Sequence, residues 1–163
     1  KTAHSPMLPP EIWQDIWSYL KSDVIFRQAL SSHTFMHYVK KHCQVLDFSY
    51  NSRVKQFPTV ILDFRSLREL YFDDPMLGSG HNQFDLPPDL LVLTNLTKLS
   101  VKGFNLKHSI ESILVLTSLK SLSLSLNGIK HLSEKLSLLT NLENLRFCQQ
   151  YTNFLPESIT TLA

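Results

Sequence analysis

The sequence predicts an α/β protein: a solenoid of about five parallel strands in a right-handed curved stack, preceded by a small three-helix module. The triplet Thr94-Asn95-Leu96 is followed, at steps of 23 residues, by Thr117-Ser118-Leu119 and Thr140-Asn141-Leu142. A fixed period of this kind is typical of stacked repeats. Ahead of the repeats, in residues 7–42, apolar side chains recur at helical spacing instead.

The helical module is predicted to contain three short helices. Pro9 and Pro10 suit the first turn of the first helix, and a broad apolar stripe follows them. That stripe consists of Ile12, Trp13, Ile16, Trp17 and Leu20. Serine N-caps predict a second helix over 23–30 and a third over 33–42, the latter ending in basic residues that suit a helix C-terminus.

Each strand unit carries the pattern L-x-x-L-x-L. Alternate side chains of a strand share one face, so the fourth and sixth residues of each unit are predicted to enter a common core. These pairs are Leu46 and Phe48, Leu70 and Phe72, Leu99 and Val101, Leu122 and Leu124, and Leu145 and Phe147. Cys43 and Cys148 then lie four strand steps apart, roughly 19 Å at about 4.8 Å per step, too far for a disulfide.

A second pattern, L-P-x-x-L-x-x-L, lies between the strands, as in the segment that begins with Leu86 and Pro87. Residues 109–116 keep its Ile113 and Leu116 but lose the leading Leu-Pro pair. Residues 43–163 therefore resemble the leucine-rich repeat family, with an insertion at 74–85 and a partial sixth unit. The resemblance implies an Asn at the ninth place of each unit, which this sequence supplies as Asn51 and Asn127 but replaces with Pro75, Phe104 and Gln150.

Residues 7–42 resemble an F-box, through Leu8-Pro9-x-Glu11-Ile12-x-x-x-Ile16-x-x-Tyr19-Leu20 with Asp23 and Ser31-Ser32 further on. The resemblance implies a substrate-recognition subunit of a Skp-cullin-F-box ubiquitin ligase, whose helices bind the Skp-family adaptor and whose repeats bind the target protein. The implied adaptor-binding residues are Leu8, Pro9, Ile12, Ile16 and Leu20. Alternatively, the helices only cap the solenoid of an interaction scaffold, or a pathogen effector uses this architecture to borrow a host ligase.

The outward-facing strand residues form the predicted partner-binding surface on the concave side of the solenoid. Its charge runs from an acidic end through two lysines and a strip of hydroxyl groups to one arginine, so it would steer a protein partner of opposite charge order. Tyr71 is the preferred contact centre, because aromatic residues supply much interface energy. The candidate residues are Asp47, Glu69, Tyr71, Asp73, Asp74, Lys98, Ser100, Lys102, Ser123 and Arg146.

Composition argues against several other functions. Sixteen Lys and Arg against fourteen Asp and Glu give a net charge of +2, which predicts neither nucleic-acid nor membrane-surface binding. No apolar run reaches the roughly 18 residues of a membrane helix, which predicts a soluble protein in the cytoplasm or nucleus, or in host cytoplasm for an effector. The seven histidines complete no metal motif, and no catalytic residue or cofactor is predicted. The apolar segment 155–162 predicts that the natural chain continues, or that this end self-associates.

Overall fold

The computed structural model describes residues 33–50, 57–73, 86–104, 106, 110–125, 129 and 133–148. Within them, five parallel strands form one sheet in sequential order, as predicted. The strands are β1 (Val45–Asp47), β2 (Glu69–Asp73), β3 (Lys98–Lys102), β4 (Ser121–Ser125) and β5 (Asn144–Cys148). The implied adaptor residues Leu8, Pro9, Ile12, Ile16 and Leu20, together with Asp74 and the insertion 74–85, lie outside the described residues.

The strand register reproduces the repeat period. Leu70 pairs with Leu99, Leu99 with Leu122, and Leu122 with Leu145, so the fourth-place leucines form one row across the sheet. The first three of these side chains are 0% exposed. Leu145 is only partly buried, as is Phe147, so the core pair predicted for the last unit is incomplete. Within the described residues, β5 pairs with β4 alone.

The segments that return the chain to the next strand are short helices. Three are 3-10 helices, Thr59–Asp63, Pro88–Val92 and Glu134–Leu138, and each begins after an extended residue. In the first two that residue is a proline, whose fixed φ suits this entry. The segment without the Leu-Pro pair instead forms a single α-helical turn, α2 (Ile110–Ile113). The first helix of the chain, α1, lies ahead of β1 and is described below.

The residues ahead of each strand explain why the triplets recur. The side-chain amide of Asn95 donates to the carbonyl of Arg65 at 2.8 Å, and that of Asn141 donates to the carbonyl of Thr117 at 2.8 Å. Ser118 occupies the same place and donates to the carbonyl of Leu96 at 2.8 Å. Each of these bonds connects one unit to the unit before it. The recurring Asn or Ser therefore satisfies backbone carbonyls that the strand ladder leaves unpaired.

An aromatic cluster, formed by Phe48, Phe57, Phe72 and Phe104, fills the core beneath the first three strands. Phe72 stacks on Phe48 with ring centroids 5.1 Å apart, and Phe57 lies 5.7 Å from it. Phe104 meets Phe72 edge-on at 6.3 Å and is 5% exposed. Phe104 is the residue that replaces the expected ninth-place Asn, so in this unit an apolar core contact stands where the family pattern has a polar one.

The N-terminal edge of the sheet is covered by α1 (His33–His42), which is the predicted third helix. Val39 of this helix is fully buried, and Phe35, Met36 and Tyr38 pack partly against the same core. Lys40 forms an ion pair with Asp63 of the next repeat at 2.7 Å. The helix therefore belongs to the same packed structure as the strands.

Cys43 lies between α1 and β1 in the core, as predicted. Its thiol is fully buried and donates to the carbonyl of Val45 at 3.2 Å. Burial raises the pKa of Cys43 to about 12, so this thiol stays protonated at neutral pH. It has the properties of a core side chain and lacks those of a reactive nucleophile.

Candidate recognition face

One surface of the sheet carries nearly all of its polar side chains, because residues that alternate with the buried ones point away from the core. We call it the polar face. A groove of about 540 Å³ runs along this face over β3, β4 and β5 and reaches Tyr71 and Asp73 of β2. The polar face consists of Asp47, Glu69, Tyr71, Asp73, Lys98, Ser100, Lys102, Ser121, Ser123, Ser125, Asn144 and Arg146.

Glu69, Tyr71 and Lys98 form one connected cluster on β2 and β3. The Tyr71 hydroxyl donates to the Glu69 carboxylate, and the Lys98 ammonium lies 3.9 Å from the same carboxylate. The Lys98 nitrogen also lies 5.2 Å from the centroid of the Tyr71 ring, within range of a cation–π interaction. Burial, followed by the bond to Glu69, raises the pKa of Tyr71, and Tyr71 in turn raises the pKa of Lys98. Tyr71 is therefore neutral and Lys98 positively charged at physiological pH.

Ser100, a predicted contact residue, is engaged by a side chain of the neighbouring strand. It lies on the polar face but is only 7% exposed, because the Asp73 carboxylate covers it. Its hydroxyl makes hydrogen-bond contacts of 2.8 and 2.9 Å with the two oxygens of that carboxylate. Ser100 therefore supports the Asp73 carboxylate, and it also lines the groove, so its contact with a partner stays a prediction.

The Asp73 carboxylate is held in a partly desolvated position. Burial, and to a smaller extent the neighbouring charge of Asp47, raises the pKa of Asp73, while the Ser100 hydroxyl and the charge of Lys102 act in the opposite direction. A carboxylate with a raised pKa costs stability once it is ionised, since the folded state binds the proton more tightly than the unfolded chain does.

We expect Asp73→Asn to raise the free energy of unfolding at neutral pH, because the amide keeps an oxygen for the Ser100 hydroxyl but carries no charge to desolvate. The gain should be lost near pH 3, where the native carboxyl group is also protonated. Urea unfolding at pH 7 and pH 3 measures both differences. A variant that is less stable than the wild type at pH 7 would show that the charge of Asp73 is needed for folding.

Three further predicted residues, Lys102, Ser123 and Arg146, line the groove, whereas Asp47 lies on β1 and does not. Lys102 is paired in register with Ser125, and Ser123 is paired with Arg146. All four line the groove, together with Ser121 and Asn144. The charge order along the described face is therefore acidic on β1 and β2, basic on β3, neutral on β4 and basic on β5, as predicted. Asp74 lies outside the described residues.

Tyr50 is a candidate contact that sequence reasoning undervalued. It follows β1, is 67% exposed and has a positive φ of 58°, a costly conformation for a residue with a side chain. Gly103 occupies the same place in its own repeat with φ 84°. In both cases the backbone N–H donates to a backbone carbonyl of the next strand. Tyr50 donates to the carbonyl of Asp73 at 2.9 Å, and Gly103 donates to that of Ser125 at 3.0 Å. Because glycine adopts positive φ readily, Gly103 at the equivalent place of its repeat is the sequence feature that indicates this backbone conformation at Tyr50.

The described residues contain few groups suited to other chemistry. No three His, Cys, Asp or Glu residues among them come together in a way that could hold a metal ion. In the same part of the chain, no helix has the length and apolar character needed to cross a membrane. What the described surface does offer is an ordered set of hydrogen-bonding and charged groups on strands, which suits the binding of another molecule.

Comparison with known proteins bears on the fold alone. No protein-family model matches the sequence, and no curated protein matches it either. Among solved structures, a leucine-rich repeat protein of Leptospira interrogans is similar with a TM-score of 0.50 and 23% identity over 72% of this chain. Internalin C2 of Listeria monocytogenes is similar with a TM-score of 0.52 and 20% identity over 77% of this chain. The chain spans 34% and 61% of the lengths of those two proteins. These similarities support a leucine-rich repeat fold.

Proposed function

We propose that this chain is a protein-recognition module whose polar face binds a partner protein, without chemistry of its own. The observation that carries the proposal is the groove on the polar face, which is lined by polar and charged side chains from four successive strands. Strands held in one register position these side chains more rigidly than loops would. The leucine-rich repeat fold is consistent with this use, since solenoids present extended surfaces to partners.

The chemistry of the face favours a protein over a small molecule. Its charged groups are spread over the whole width of the sheet, and electrostatic order on this scale gives an extended partner both orientation and specificity. Two tyrosines, the exposed Tyr50 after β1 and Tyr71 at the β2 end of the groove, can provide the aromatic contacts that carry much of the energy at protein interfaces.

We expect Tyr50→Gly and Ser123→Trp each to weaken partner binding by about tenfold or more, the first by removing an aromatic contact and the second by filling the groove. Tyr50→Gly should keep or raise stability, since glycine adopts positive φ without strain. Binding is measured with segments of the source proteome displayed on phage and selected on the wild-type chain.

The matched control is Ser137→Trp, on the 3-10 helix Glu134–Leu138, where the serine is exposed and does not line the groove. Selected segments should bind this variant as they bind the wild type. If Ser123→Trp and Ser137→Trp affect every selected segment equally, the polar face is not the recognition surface.

We further propose that the chain links its partner to a Skp-cullin-F-box ubiquitin ligase, with Leu8, Pro9, Ile12, Ile16 and Leu20 on the adaptor. The support is the F-box-like sequence of residues 7–42 and its position directly ahead of the repeats. The packing of α1 against the core also favours the proposal, because it joins the end of the helical segment firmly to the recognition repeats. Such a subunit would act in the cytoplasm or nucleus, which for an effector means that of the host.

We expect Leu8→Asp to reduce binding of a purified Skp-family adaptor by about a hundredfold, because a carboxylate in an apolar contact must be desolvated without a partner. The control is Gln14→Asp, which adds the same charge at a position that the motif leaves free. Isothermal titration of the full chain measures both. Equal binding by the two variants, or no binding by the wild type, would contradict the ligase proposal.

The alternative function, a scaffold whose helices only cap the solenoid, is favoured by one observation. Val39 of α1 is fully buried and extends the core of the first repeat, as a terminal cap does. The cap and the adaptor-binding role use different residues, so both can hold. If the adaptor does not bind while the polar face does, the scaffold function remains.

A further inference from the structure

Three positive charges lie on the polar face, and they are not equivalent. Lys98 is already engaged by Glu69 at 3.9 Å and by the ring of Tyr71. Within the described ranges, in contrast, the four ion pairs closer than 4.0 Å include neither Lys102 nor Arg146. The charge of Lys102 lowers the pKa of Asp73, but the Asp73 carboxylate is already bound by Ser100. These two cations are therefore available to a ligand.

The register places the two available cations on either side of β4. Lys102 lies on β3 and Arg146 on β5, each one strand step from the serines between them. Adjacent strands are about 4.8 Å apart, so two long side chains can both reach a group centred over β4. Ser121 and Ser123 are half-buried there, line the groove and carry hydroxyls that can donate to an oxygen. β4 itself contributes no charged side chain.

We propose that this part of the groove binds an acidic segment of a partner protein, with a side-chain carboxylate held between Lys102 and Arg146 above Ser123. The inference rests on the proposed function and specifies the chemistry of the partner. Charge complementarity is the argument: two cations and a row of hydroxyl donors match a carboxylate, which accepts hydrogen bonds at both oxygens. The acidic residues of β1 and β2 repel the same segment, and this places its negative charge over β4 and β5.

The test uses the same displayed segments, selected on the full wild-type chain. We expect segments that need an open groove, those lost with Ser123→Trp, to be enriched in Asp and Glu. Lys102→Gln combined with Arg146→Gln should weaken their binding by about tenfold or more, because two charge-assisted contacts are lost. Fluorescence anisotropy of the labelled segments measures the change.

The control is Lys120→Gln combined with Lys135→Gln. This pair also removes two positive charges, but both lysines pair with glutamates outside the groove, at 2.8 and 2.7 Å. We expect it to change binding less than about twofold, since these two charges are exposed, already paired with glutamates and absent from the groove lining. An equal loss with both double variants would mean a general charge effect and would overturn the proposal.

Three further outcomes would overturn it. If groove-dependent segments are neutral or basic, the acidic partner is wrong while the recognition function stands. If the chain self-associates, and sedimentation shows that Lys102→Gln with Arg146→Gln abolishes this, the occupant is a second copy. If no segment depends on the groove, the proposed function fails together with this inference, so the two failures are distinguishable.

Discussion

Replacing Phe72 with alanine is expected to lower the free energy of unfolding by about 3–5 kcal/mol, the range typical of a large aromatic deletion in a core. Phe72 is 1% exposed and contacts the three other rings of the aromatic cluster. Its removal leaves a cavity that three different repeats line, and the rigid strand register limits how far they can collapse into it. Urea unfolding of the variant and the wild type measures the difference.

A double-mutant cycle tests whether the rings themselves are coupled. Phe48 and Phe72 stack with an interplanar angle of 9°, so Phe48→Leu and Phe72→Leu should show a coupling of about 0.5–1.5 kcal/mol. Leucine keeps most of the apolar volume and removes the ring. A loss below about 1 kcal/mol for Phe72→Ala would mean that the cluster is not a close-packed part of the core.

The second large effect is expected at Leu122, in the row of fourth-place leucines. Leu122→Ala should cost about 3 kcal/mol, because the side chain is 0% exposed and β4 has a paired strand on each side. The matched comparison is Leu145→Ala at the same register position on β5, where the side chain is only partly buried. We expect that variant to cost roughly half as much, since less area is removed from the core.

The comparison isolates position in the stack, because residue type, strand place and pairing direction are the same. Thermal unfolding followed by circular dichroism gives the order of the two variants, and urea unfolding gives the size. Equal losses at Leu122 and Leu145 would contradict a core that weakens towards β5. A smaller loss at Leu122 than at Leu145 would contradict the burial of the central row.

Together, these expectations separate the part of the molecule that maintains the fold from the part that is proposed to recognise a partner. The fold rests on leucines and phenylalanines beneath the sheet, and the proposed binding rests on exposed groups above it. Tyr50→Gly, Lys102→Gln and Arg146→Gln should therefore change binding with little loss of stability. Phe72→Ala should reduce both, because the polar face exists only on an ordered sheet.

The repeat architecture was predictable from sequence, because a fixed period and the two-residue alternation of a strand are local properties of the chain. The 23-residue step aligned Leu99, Leu122 and Leu145 correctly, and the structure pairs them in that register. The same alternation placed Glu69, Lys98 and Arg146 on the polar face. Serine and basic residues at the ends of the third helix likewise predicted its extent.

Only the tertiary structure decided how neighbouring repeats modify one another. Ser100 is bound by the Asp73 carboxylate of the preceding strand, and Phe104 packs in the core against the Phe72 ring of the preceding repeat. No local sequence pattern indicates either contact. Which lysine is engaged and which is available depends likewise on side chains from other strands, as Lys98 and Lys102 show. The sequence determined where each residue lies along and across the sheet; contacts between residues more than twenty positions apart decided their exposure, partners and charge environment.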